Sequence, residues 1–243
     1  MDKKLFSILL ILLTCSSYAA VEVIEVDNYE DVSEIVENRT DGYTAKSTQV
    51  VFDLDDTVIR TEACPAVEGI SHGFKRFEAS VLNCGASLTS PLVLDLIEVL
   101  KENNYPVMAM TARRYKFGQL EGTLGQLQEK LVLSEDVEES VVVHFTTAPE
   151  YSPDLQLIPY KQPLKKGGVS DKEVAYKEGV SFVSFGNKGL ALKAFNKHMK
   201  KRYKRIIFVD DQKKNINDLG TAYSGTKRSV TLIYYTEHSK KKD

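Results

Sequence analysis

Histidine is scarce, with four residues in 243, and His72, His144, His198 and His238 are too scattered to frame a zinc site. Cysteine is scarcer still: Cys15, Cys64 and Cys84 are the whole complement. A formal charge of −2 argues against wholesale nucleic-acid binding. No apolar run approaches the roughly 20 residues that a membrane-spanning helix needs, and no internal repeat points to a solenoid. What the chain does have is apolar content, 42% by composition, enough for a sizeable core.

The first residues read as a targeting segment. Lys3 and Lys4 precede an apolar stretch from Leu5 to Leu13 broken only by Ser7, and Ser17-Tyr18-Ala19 fits a cleavage site before Ala20. Residues 1–19 are therefore expected to be a signal peptide, and the mature chain, 20–243, periplasmic or secreted. Leu12-Leu13-Thr14-Cys15 departs from a lipoprotein box at Thr14. Export leaves Cys64 and Cys84, which an oxidising compartment would allow to bridge; two buried thiols are the alternative, since spacing carries no geometry. Charge is uneven. Residues 22–41 are acidic, whereas the basic run from Lys193 to Arg205 reads as the solvated end of a helix.

Apolar periodicity predicts strands at Val21–Val26, Val50–Leu54, Pro106–Met110, Val141–Phe145, Val180–Phe185, Arg205–Val209 and Val230–Tyr235. Helices are predicted at Asn28–Glu37 behind an Asp27 cap, around Phe74–Leu82, after Ser90-Pro91, and over Lys116–Leu131, Lys188–Lys200 and Lys214–Ala222. Ala148 to Gly168, rich in Pro and Gly, reads as a long surface loop. Alternation of strand and helix predicts a doubly wound, Rossmann-like parallel sheet in a single domain, with insertions at about 60–89 and 115–184. Such sheets place ligands at the carboxyl ends of their strands. Asp53, Thr111 and Asp210 each close a predicted core strand.

Asp53 and Asp55 follow the buried triplet Val50-Val51-Phe52. Two apart on an extended chain, they share a face and point into one pocket. Carboxylates that close repel, so either a cation lies between them or one of them holds its proton more tightly. An aspartate can also act as a nucleophile toward phosphorus.

Val51-Phe52-Asp53-Leu54-Asp55-Asp56-Thr57 resembles the first motif of the HAD (haloacid dehalogenase-like) phosphatase superfamily. Three further motifs follow in that superfamily's order: Thr111-Ala112-Arg113 after a strand, Lys188-Gly189 opening a helix, and Phe208-Val209-Asp210-Asp211 ending a strand. Together they look like a poorly characterised bacterial domain-of-unknown-function family within the superfamily, spanning about Tyr29 to Thr236. The resemblance implies Asp53 as nucleophile, Asp55 as general acid and base, Thr111 and Lys188 as phosphate ligands, and Mg²⁺ held at Asp53, Asp55 and Asp210. In that shell Asp55 contributes its backbone carbonyl and Asp211 acts through water. It further implies cap insertions that shape the leaving-group pocket, and a phosphate ester or phosphorylated substrate. A phosphotransferase would use the same residues. A non-catalytic metal- or phosphate-binding adaptor on the same fold is the alternative from another class.

Overall fold

Val50, Val51 and Phe52, Val107 to Met110 and Ile206 to Val209 are all buried, as strands covered on both faces must be. The computed structural model describes residues 20–40, 43–129, 131–134, 137–145 and 154–237. Its strands are β1 (Val21–Val26), β2 (Thr48–Phe52), β3 (Ile59–Thr61), β4 (Ala86–Leu88), β5 (Val107–Thr111) and β6 (Leu131–Ser134). The remainder are β7 (Val137–Val141), β8 (Gln156–Pro163), β9 (Val169–Lys177), β10 (Val180–Phe182), β11 (Arg205–Asp210) and β12 (Ser229–Tyr235). The helices are α1 (Tyr29–Thr40), α2 (Phe74–Asn83), α3 (Leu92–Glu102), α4 (Gln119–Gln128), α5 (Lys188–His198) and α6 (Lys213–Tyr223).

Eight strands form one sheet in the order β1-β12-β11-β2-β5-β10-β9-β8. Every pairing from β1 through to β10 is parallel, and β9 and β8 extend the edge antiparallel. Alternate side chains serve opposite faces. Val50, Phe52, Val107 and Ala109 pack with Val32 and Val36 of α1 and Val93 and Leu96 of α3. Val51, Met108, Ile206 and Phe208 pack with Leu192 and Phe195 of α5 and Ile216 and Leu219 of α6. The architecture is mixed α/β, with a large, mostly parallel sheet and helices on both faces. From β2 the chain adds β5 and then β10 on one side, and returns to add β11 and β12 on the other. The crevice between β2 and β11 is thus a switch point, where ligands of such sheets gather. Among the described residues, no helix is long and apolar enough to cross a membrane.

Several sequence expectations need correction. Asn28, not Asp27, caps α1: its Oδ1 accepts the Asp31 N–H at 2.8 Å. Helix α4 starts only at Gln119, because Phe117 (φ +62°) and Gly118 (φ +78°) are left-handed and cannot continue a helix. The strand expected at Val141–Phe145 lies earlier, at β7. Val143 and Phe145 are buried outside it, and apolar burial alone does not distinguish a strand from an extended connection. The expected loop from Ala148 to Gly168 contains β8, whose Pro159 and Pro163 sit on the sheet's edge strand, the position where a missing N–H is tolerated.

A second sheet, β3-β4-β6-β7, draws on both expected insertions. Cys64 and Cys84 are joined by a disulfide with Cα atoms 5.6 Å apart, tying the segment before α2 to the residue after it. Helix α4 packs on α2 through Gly122, where a Cβ would lie 2.6 Å from the Val81 carbonyl oxygen. The segment 115–184 therefore divides: β6 and β7 belong to the small sheet, while β8, β9 and β10 belong to the large one. The predicted signal peptide, residues 1–19, lies outside the described residues.

Candidate active site

Strand β2 stops at Phe52, and the Asp53 N–H is taken by the Val209 carbonyl of β11 at 2.7 Å. That bond sets Asp53 beside Asp210, the last residue of β11. The next turn folds back on itself: Val58 and Ile59 donate to the Leu54 carbonyl, both at 2.9 Å, and Asp56 adopts φ +57°. Opposite, Asn187 caps α5 by accepting the Leu190 N–H at 2.8 Å, which places Lys188 in the first turn. Its Nζ reaches Asp53 Oδ1 at 2.5 Å and Asp210 Oδ2 at 2.8 Å. All three side chains are withdrawn from water.

Asp210 Oδ1 accepts from the Gln212 N–H at 2.8 Å and from Asn215 Nδ2 at 3.0 Å. Thr57 Oγ1 accepts the Asp211 N–H at 3.1 Å, pinning the β11 turn to the β2 turn. Carboxylate oxygens of Asp53, Asp210 and Asp211 consequently all lie within 4.8 Å of one another.

Two of the three acids pair with one buried cation, and the third lies beside them. Burial pushes the Asp53 carboxyl well above its ordinary range, Asp210 adds to the effect, and Lys188 opposes it. Burial and then Asp210 push Asp211 up to about 7, against the pull of the Gln212 hydrogen bond. Burial would lower Lys188, but Asp210 and Asp53 outweigh it and hold the ammonium above its usual value. An all-oxygen cluster of three carboxylates could hold a hard divalent cation on donor chemistry.

Asp55 stands apart from this cluster. Its carboxylate meets the guanidinium of Arg113, with Nη2 at 2.6 Å from Oδ1 and Nε at 3.0 and 3.1 Å from the two oxygens. Thr111 Oγ1 donates to Asp55 Oδ2 at 3.2 Å and accepts the Arg113 N–H at 3.1 Å. Arg113 is fully buried, and its remaining donors go to Thr61 Oγ1 (2.9 Å), Thr123 Oγ1 (3.1 Å) and Gln126 Oε1 (2.7 Å). A cavity of about 350 Å³ opens above the site, lined by Asp53, Asp55, Asp211, Phe77 and Phe185 among others.

Of the residues singled out in the sequence, Asp53, Lys188 and Asp210 form one connected group. Asp55 lines the same cavity but turns its carboxylate to Arg113. Thr111 is one layer back, its hydroxyl committed to Asp55 and the Arg113 amide. Sequence reasoning missed the part played by Arg113; the Asp211 carboxylate, expected to act through water, lies within 4.8 Å of those of Asp53 and Asp210. The Arg113 contact had a readable signal: Gln119, Thr123 and Gln126 fall four and three apart on α4, a polar stripe that is wholly buried.

A family model described as a protein of unknown function (DUF2608) matches residues 67–243. The match takes in Thr111, Lys188, Asp210 and Asp211, and begins after Asp53 and Asp55, later than the Tyr29 expected from the sequence. No curated protein and no solved structure matches the chain.

Proposed function

The chain belongs to this family, DUF2608, and we propose that it is an exported, Mg²⁺-dependent phosphatase of HAD type that hydrolyses a phosphomonoester through an aspartyl phosphate. The observation that carries the reading is the convergence of Asp53, Asp210, Asp211 and Lys188 at the crevice between β2 and β11, with Asp55 alongside in the same cavity. The helices on both faces of the parallel sheet suit the doubly wound arrangement that this reading requires. Export rests on the signal-like start, and the Cys64–Cys84 bridge agrees with an oxidising compartment.

Asp53, Asp210 and Asp211 would hold Mg²⁺. When bound, the ion neutralises phosphoryl charge as it moves between oxygens. Lys188 and the Leu54 N–H both engage Asp53 Oδ1, which leaves Oδ2 to attack phosphorus. The Asp53 Oδ2–P bond forms as the ester P–O bond breaks, and Asp55 gives its proton to the departing oxygen. Asp55 then takes a proton from water as that water attacks the aspartyl phosphate, returning Asp53 and inorganic phosphate. Arg113 and Thr111 orient Asp55 for both steps.

That same contact favours a second reading, a metal- or phosphate-binding protein without turnover. Arg113 grips both oxygens of Asp55, so a proton on either one has to displace part of the ion pair. A panel of phosphate esters on the mature protein, with and without Mg²⁺, separates the two. Mg²⁺-dependent release of inorganic phosphate supports the enzyme, and a silent panel supports the binding protein.

A further inference from the structure

The two ends of the cavity differ in chemistry. Its polar end comes from the Asp53 turn, the turn after β11 and the start of α6, and carries Gln212, Lys214 and Asn215 beside the acids. The loops after β5 and β10, with α2, contribute Phe77, Ala112, Phe185 and Gly186, together with Arg113, which Asp55 already occupies. This side offers little side-chain hydrogen bonding to the hydroxyls of a sugar. It offers rings instead.

Phe185 is held there at a conformational cost. Ser184 (φ +47°) and Phe185 (φ +60°) are consecutive non-glycine residues in the left-handed region, which L side chains avoid. The loop is over-determined by its surroundings. The Ser184 N–H bonds to the Arg113 carbonyl (3.2 Å), the Phe185 N–H to the Ala112 carbonyl (2.9 Å) and the Asn187 N–H to Gln162 Oε1 (3.0 Å). Gly186 fits so closely that a Cβ would overlap the Tyr160 hydroxyl. The product of this strain is a large apolar ring left 50% exposed on the cavity lining. Burial in the core does not compensate for it, and strain of this kind collects where a ligand is met.

The ring is also buttressed. Phe74 of α2 meets Phe185 edge-on, with centroids 5.2 Å apart. The Arg114 guanidinium lies 4.8 Å from the Phe74 ring centre and 5.6 Å from that of Phe185. Across the cavity lining, Phe77 is backed by the Arg113 guanidinium at 5.7 Å. Each lining ring thus has a cation or a second ring against it, and aromatic rings so placed are suited to receiving a further ring.

We infer that the leaving group is planar and aromatic, so that the substrate is an aryl or heteroaryl phosphate monoester rather than a sugar or alkyl phosphate; this rests on the phosphatase reading above. Phenylphosphonate and methylphosphonate share the anionic head and are not hydrolysed, so calorimetric titration of the Mg²⁺-loaded protein compares the two without turnover. The phenyl compound should bind roughly tenfold more tightly. Phe185→Ala should abolish that preference and leave methylphosphonate affinity unchanged, while Phe185→Tyr retains the preference. Phe77→Leu, which keeps apolar bulk without the ring, should reduce it independently should Phe185→Ala not fold. Equal affinities in the wild type, or an undiminished preference in both Phe185→Ala and Phe77→Leu, overturns the inference while leaving the phosphatase reading standing. If neither phosphonate binds, both are overturned.

Discussion

Replacing Arg113 with Met tests whether the site is held from behind by one buried cation. The guanidinium has no exposure, and its loss leaves Asp55, Thr61, Thr123 and Gln126 each short of a hydrogen-bond partner. Breaking a buried ion pair from one side costs about 3–5 kcal/mol, because the other charge is stranded. The Asp55 side chain keeps 26% exposure and can recruit water, so the lower end, about 3 kcal/mol, applies. At roughly 2–4 °C per kcal/mol for a domain of this size, the melting temperature should fall by about 6–12 °C. Urea denaturation should show the same loss as a lower midpoint at unchanged slope. Arg113→Lys restores charge but not the planar fork, and should recover only part of the stability. A loss below about 1 kcal/mol in Arg113→Met would falsify the view that this side chain organises the pocket floor.

Three further expectations follow from the same geometry. Asp210→Asn should weaken Mg²⁺ binding strongly in a calorimetric titration without unfolding the chain, and equal affinities would remove Asp210 from the metal site. In the Mg²⁺-free protein Asp211 is raised from 3.8 to about 7, so between those values the folded state keeps a proton that the unfolded state lacks. Its stability should therefore decline as pH rises from about 4 to 7, and Mg²⁺ should offset the decline; a denaturation series that rises with pH in the absence of metal contradicts this. Reducing the Cys64–Cys84 bridge, which closes a separation of 20 residues, should cost about 3 kcal/mol; two thiols alkylated without reductant, in protein recovered from its own compartment, would show that the bridge does not form there.

Much of the parallel sheet was legible because β2, β5 and β11 are apolar runs buried on both faces, and β2 and β11 lead into acids. Val21–Val26 coincides with β1 to the residue, and Arg205 and Tyr235 mark strand ends as expected. The edge was not legible. Pro159 and Pro163 carry the signature of a loop, and only position beyond β9, a tertiary fact, makes a strand of them. The split of segment 115–184 between two sheets was hidden for the same reason, since pairing partners are distant in sequence. In the site, resemblance to an ordered set of motifs pointed to Asp53, Lys188 and Asp210, and the structure sets each at the end of an element. That resemblance could not reveal which way Asp55 turns, because that depends on a guanidinium 58 residues away. Likewise, the exposure of Phe185 depends on two left-handed residues for which composition offers no cue.

The central claim, that Asp53 carries the phosphoryl group, is tested most directly by acid-quench mass spectrometry of the peptide containing it. Asp55→Asn protein with Mg²⁺ is mixed briefly with an aryl phosphate whose good leaving group needs little help from a proton donor. The account predicts a phosphoryl adduct on Asp53 that decays slowly, because Asp55 no longer activates water, and no adduct in the Asp53→Asn, Asp55→Asn double variant. Turnover in Asp53→Asn at near the wild-type rate, or an adduct on any other residue, would contradict it.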